Sequence, residues 1–93
     1  MKNLYKVKAV GEMLDVRSEK AEGGVLHKRR MVLRELDGKY ADEFAVTLLG
    51  KDAICQFYAG DVVYASLQFR TNEVNGAVYQ DITVKEIYSM KNY

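Results

Sequence analysis

Proline and tryptophan are absent from this 93-residue chain, and cysteine and histidine occur once each. With Cys55 alone, no internal disulfide can form and no cysteine-based metal site can be assembled within one chain. No apolar run approaches the length needed to span a bilayer, and the N-terminus lacks the apolar core and small-residue cleavage site of a secretory signal. The expected location is therefore the cytoplasm, away from any membrane. An excess of one charge is missing too. The 14 Lys and Arg against 13 Asp and Glu leave a formal charge of +1, which generates no global field drawing the protein onto nucleic acid or an anionic membrane. An electrostatic partner must be met by a local patch.

What is present is globular and β-prone. Ninety-three residues suffice for a single domain, residues 1–93, with one modest core. The apolar fraction of 48% argues against disorder, and seven tyrosines with no tryptophan or proline tilt the composition toward strands. Lys6 to Arg17 reads as a long strand with Gly11 at its middle, where glycine suits a bulge or sharp bend between two sheets. Ser18 to Gly24 reads as a loop. A second strand is expected over Val25 to Leu36, a hairpin turn at Asp37-Gly38, and a third strand from Tyr40 to Leu49.

The period then changes. Asp52 is placed to cap a short helix running to Tyr58, with Ile54, Phe57 and Tyr58 at helical spacing, and Gly60 is placed to stop it. Val62 to Arg70 alternates as a fourth strand, Asn75-Gly76 is a second hairpin tip, and Val78 to Tyr88 is a fifth strand. A bulge is expected there, because Ile82, Val84 and Ile87 break the period of two. Three strands, a short helix and two strands, the first one bent, is the order of an OB-fold: an all-β, five-stranded, partly open Greek-key barrel with its helix between strands three and four. A small β-sandwich without the helix is the competing architecture. The expected core comprises Val7, Met31, Leu33, Phe44, Val46, Leu48, Ile54, Val63, Leu67, Ile82 and Ile87.

The run Val25 to Arg34 concentrates four cations and no acid on one strand. Side chains alternate along a strand, so if Met31 and Leu33 point inward, Lys28, Arg30 and Arg34 share the opposite face with Val32 between them. That face is either an anion-binding surface or the solvated side of an amphipathic strand.

Catalytic readings find no support. His27 has no acid near it in sequence and reads as a solvated strand histidine, and Cys55 reads as a buried inert thiol. Asp42 and Glu43 are adjacent on a strand and would point to opposite faces. The glycines do not form a phosphate-loop spacing. Neither an enzyme nor a bound metal or cofactor is expected.

The segments Leu48-Leu49-Gly50, Gly60-Asp61-Val62-Val63 and Asn75-Gly76-Ala77-Val78-Tyr79-Gln80-Asp81-Ile82 resemble those of a small bacterial OB-fold family of unknown function, similar in style to single-stranded DNA-binding proteins and primosomal replication protein N. The likeness runs from about Val7 to Ile87. Where that pattern has a tryptophan closing strand three and an aromatic residue before the second hairpin tip, this chain has Leu49 and Val74. The resemblance implies binding of single-stranded DNA, or less readily RNA, on the outer face of strands two and three with little sequence preference. Lys28, Arg30 and Arg34 would meet phosphates there, and Tyr40, Tyr64 and Tyr79 are the candidate stacking surfaces, with Tyr40 expected to be the most exposed. The alternative function is a protein-interaction module using the same face, and a small-ligand or oligosaccharide binder has only the versatility of the fold behind it. Outward Val32 and Leu49 and several tyrosines further suggest a homodimer or higher assembly.

Overall fold

The computed structural model describes residues 2–17, 22–36 and 39–90. Five strands form a closed barrel in the order β1-β2-β3-β5-β4: β1 (Lys2–Arg17), β2 (Val25–Glu35), β3 (Glu43–Leu49), β4 (Val62–Val74) and β5 (Ala77–Ser89). A single 3-10 turn, Glu22–Gly24, precedes β2, and the helix α1 (Lys51–Ile54) lies between β3 and β4.

β1 serves both halves of the barrel. Its first residues pair with β4 from Lys2↔Ser66 to Lys6↔Val62, and from Tyr5 to Arg17 it pairs with β2. To turn between the two, β1 carries extra residues at Lys8 and between Val10 and Met13, and the second bulge contains Gly11 as the sequence suggests. β3 and β5 run parallel and meet at one bridge, Thr47↔Thr83. β5 also bulges: Ser66 and Leu67 pair with Glu86 and Val84, so Lys85 is the extra residue. That insertion returns Ile87 to the inside after the alternation set by Ile82 and Val84.

The core is formed by the inward positions of all five strands. Tyr5, Val7, Met31, Leu33, Val46, Leu48, Val63, Ala65 and Leu67 are almost wholly buried, joined by Val84, Ile87, Ala53 and Phe57. Phe44, Ile82 and Val10 are partly buried against this cluster. Tyr5, Phe44 and Phe69 stack edge to face in sequence, with ring centroids 6.0 and 6.2 Å apart, the arrangement that suits the quadrupoles of aromatic rings.

Ile54 departs from expectation, being 53% exposed. The helix is one turn long, not the Asp52–Tyr58 segment predicted, and its N-cap is Gly50 at φ 62° with no side-chain cap; Asp52 sits in the first turn. Past Ile54 the backbone is drawn out by β1. The Gly60 N–H donates to the Val7 carbonyl at 2.8 Å, and the Val7 N–H donates to the Asp61 carbonyl at 2.8 Å. A helix through Tyr58 would leave no length to reach those partners, so Cys55 turns extended and Phe57, not Ile54, enters the core. Cys55 is exposed, contrary to its expected burial.

Other boundaries shift modestly. β3 starts at Glu43 instead of Tyr40, β2 ends at Glu35, and β4 runs on to Val74. The Asp37-Gly38 turn lies outside the described residues, but the strands flanking it are closed by the Glu35 N–H donating to the Asp42 carbonyl at 3.0 Å. The Asn75-Gly76 tip has φ of 51° and 82°, the pair of positive angles that a primed two-residue turn demands. Among the described residues no helix is long and apolar enough to cross a membrane.

Candidate functional site

The β2–β3 register decides which side chains stand together. Lys28 pairs with Leu49, Arg30 with Thr47, Val32 with Ala45 and Arg34 with Glu43, while Met31 and Leu33 pair with buried Val46 and half-buried Phe44. Cross-strand partners share a face. Lys28, Arg30 and Arg34 are therefore aligned along the outer side of β2, about 6.7 Å from one alternate position to the next. β1 extends this side: Lys6 is beside Arg34, Ala9 beside Val32 and Leu14 beside Lys28.

Arg29, the remaining cation of the run, is not part of the row. It pairs with Leu48 on the inward side, and its Nε is buried with no hydrogen-bond partner among the described residues.

Acids temper the row at one end. Lys8 Nζ lies 2.7 Å from Glu43 Oε2, and that bond, ahead of the nearby charge of Arg34, holds the Glu43 carboxyl below its ordinary range. At the other end of β2, His27 Nδ1 and Asp15 Oδ1 are 2.7 Å apart. Sequence proximity offered His27 no acid, yet the antiparallel pairing Asp15↔His27 supplies one from twelve residues away.

Between these ends a mainly apolar depression lies beside the cations. Ala9, Gly11, Val32 and Ala45, with Arg30 at the edge, line this shallow depression of about 210 Å³. The outward positions of β2 and β3 carry no aromatic ring.

Tyr40, in the loop joining β2 to β3, is 86% exposed, as its position beside a turn predicted. Lys39 Nζ stands 5.8 Å from its ring centroid. The other two tyrosines are not brought to this face. Tyr64 is on the outer side of β4, between Leu4 of β1 and Tyr88 of β5. Tyr79 is on the β4–β5 ribbon opposite Asn72. Of the three candidate tyrosines, Tyr40 alone lies beside the row of cations, because strand order and register place Tyr64 and Tyr79 on other parts of the barrel.

A row of cations on a flat sheet can neutralise phosphates or carboxylates, and an exposed tyrosine can stack. No group of three or more His, Cys, Asp or Glu side chains with metal-binding geometry occurs among the described residues.

The closed β1-β2-β3-β5-β4 barrel, its bent first strand and the helix between β3 and β4 define an OB-fold. The second OB-fold domain of replication protein A from Methanococcus maripaludis, a solution NMR structure, matches 99% of this chain and 84% of its own length, with a TM-score of 0.69 at 14% sequence identity. At that identity the likeness is one of fold. No protein-family model matches the sequence, and no curated protein matches it.

Proposed function

We propose that this protein binds single-stranded nucleic acid, DNA in preference to RNA and with little sequence preference, across the outer face of β2 and β3. The observation that carries the reading is the alignment of Lys28, Arg30 and Arg34 on one side of a sheet whose opposite side is core. Charges aligned along one side of a strand suit a polyanion, whereas phosphate contacts by themselves read no sequence. The fold neighbour comes from a replication protein, and the segments around Gly50, Gly60 and Gly76 resemble a small bacterial OB-fold family similar to single-stranded DNA-binding proteins. Tyr40 supplies the stacking surface at the Arg34 end, and Tyr79 on the β4–β5 ribbon is a second, more distant one. The protein acts in the cytoplasm, without catalysis, and as a homo-oligomer, since one barrel gives a short track.

A second reading has its own observation. Glu43 sits within the cationic row and already engages Lys8, and the outward face of β2 and β3 lacks an aromatic platform. Such a mixed surface suits a protein partner whose carboxylates pair with Arg30 and Arg34.

Fluorescence anisotropy with labelled oligo-dT, mixed-sequence RNA and duplex DNA at two salt concentrations separates the two. Salt-sensitive preference for single strands supports the first reading. Absence of binding to every single strand at low salt leaves the protein-interaction module.

A further inference from the structure

The outer side of the β1–β4–β5 sheet carries an apolar row that no single stretch of sequence displays. Leu4 pairs with Tyr64, and Tyr64 pairs in turn with Tyr88. Because Tyr5 is opposite Glu35, Leu36 falls beside Leu4, and the two line one depression together. Leu36, Leu4 and Tyr88 are exposed and Tyr64 is half-buried. Four adjacent strands at the ordinary spacing make this a band about 14 Å long. Isolated surface leucines need no account, but a contiguous apolar band on a small domain marks an interaction surface.

The borders of the band identify what covers it. On one side lie Arg34, Lys6 and Val62, paired in that order. On the other, Lys2 pairs with Ser66 and Ser66 with Glu86. Asp52 adds to the acidic side: its carboxyl is pushed up by burial and, second, by the charge of Glu86. The band therefore has cations along one border, while the other runs from Lys2 through Ser66 to a carboxylate, Glu86, at its far corner. A partner of uniform charge meets like charge at one of them. A second copy turned about a two-fold axis crossing the row at Tyr64 meets opposite charge at both, since symmetry sets the Lys6–Glu86 opposition twice.

We propose that this chain forms a two-fold homodimer through the Leu36–Leu4–Tyr64–Tyr88 row, with Lys6 of each copy facing the partner's Glu86. The band shares Arg34 and Lys6 with one end of the cationic row, but Lys28 and Arg30 lie outside it, so most of the β2–β3 face stays open and the dimer stands whether or not nucleic acid is the ligand. Val32 and Leu49, the apolar residues that first suggest assembly in the sequence, belong to the other surface.

Sedimentation velocity on the full chain tests this, with circular dichroism as the control for folding. The wild type is expected to be dimeric at tens of micromolar and to dissociate on dilution. Lys6→Glu and Glu86→Lys are each expected to weaken the dimer by about tenfold or more, and the two together to restore it, because rim charges opposed to like charges are repulsive and swapped pairs are not. Tyr88→Asp, at an exposed position, is expected to give a folded monomer. A wild type that stays monomeric at hundreds of micromolar overturns the proposal. So does a dimer indifferent to Tyr88→Asp, or a double variant no better than either single one.

Discussion

A Cβ placed on Gly11 would lie 3.0 Å from the carbonyl oxygen of Arg30. That oxygen belongs to a central strand paired on both sides, so it has little freedom to retreat. The absence of a side chain at Gly11 is what lets the bulged part of β1 lie close over β2, and it opens the floor of the depression beside Arg30. Gly11→Ala should destabilise the protein by about 1 kcal/mol or more, overpacking outweighing the gain from a stiffer unfolded chain. Urea unfolding measures it, and an unchanged midpoint would show that β2 yields.

Leu48 is wholly buried at the heart of the barrel, opposite the inward-turned Arg29. Leu48→Ala should cost about 2 to 5 kcal/mol, the range for a large-to-small change in a packed core. Thermal and denaturant unfolding should agree on the loss.

On the nucleic-acid reading, three or four phosphate contacts per chain give a log–log salt slope of about −2 to −3 for single strands. Replacing Arg30 and Arg34 together with alanine should flatten that slope and weaken all sequences alike. Tyr40→Ala should instead cost roughly 1 to 3 kcal/mol with little change in slope if a base stacks there. Anisotropy titrations at several salt concentrations separate the two effects, and unchanged affinity in the folded double-arginine variant would remove this face as the site.

The Glu43 carboxyl titrates below its ordinary range because Lys8 holds it. A depressed carboxyl binds fewer protons folded than unfolded, so its contribution is fully present above the ordinary carboxyl pKa and is lost as pH falls through the folded value. In Lys8→Met the Glu43 titration, followed by carbon-detected NMR, should move up toward the ordinary range. At neutral pH the same change leaves Glu43 to Arg34, so it should reduce affinity for a polyanion by more than one lost charge.

Much of the barrel was legible because its signals are local. Asn75-Gly76 makes its turn through the positive φ its two residues tolerate, and the break in period after Val84 announces the bulge at Lys85. Alternation alone put Lys28, Arg30 and Arg34 opposite Met31 and Leu33, since a strand has only two sides. What the chain does along its own length, it states in its own residues.

What joins distant residues was decided only by the tertiary structure. The length of α1 depended on Gly60 and Asp61 being claimed by Val7, a competition invisible in the helical spacing of Ile54, Phe57 and Tyr58. The partner of His27 came from β1 by register, and so did that of Glu43 with Lys8, through the bulge that re-aims β1. Tyr40 and Tyr64 look alike in sequence. One stands exposed on a loop, while the other is aligned between Leu4 and Tyr88, because neighbours across a sheet are set by strand order and register, which depend on the packing of the whole barrel.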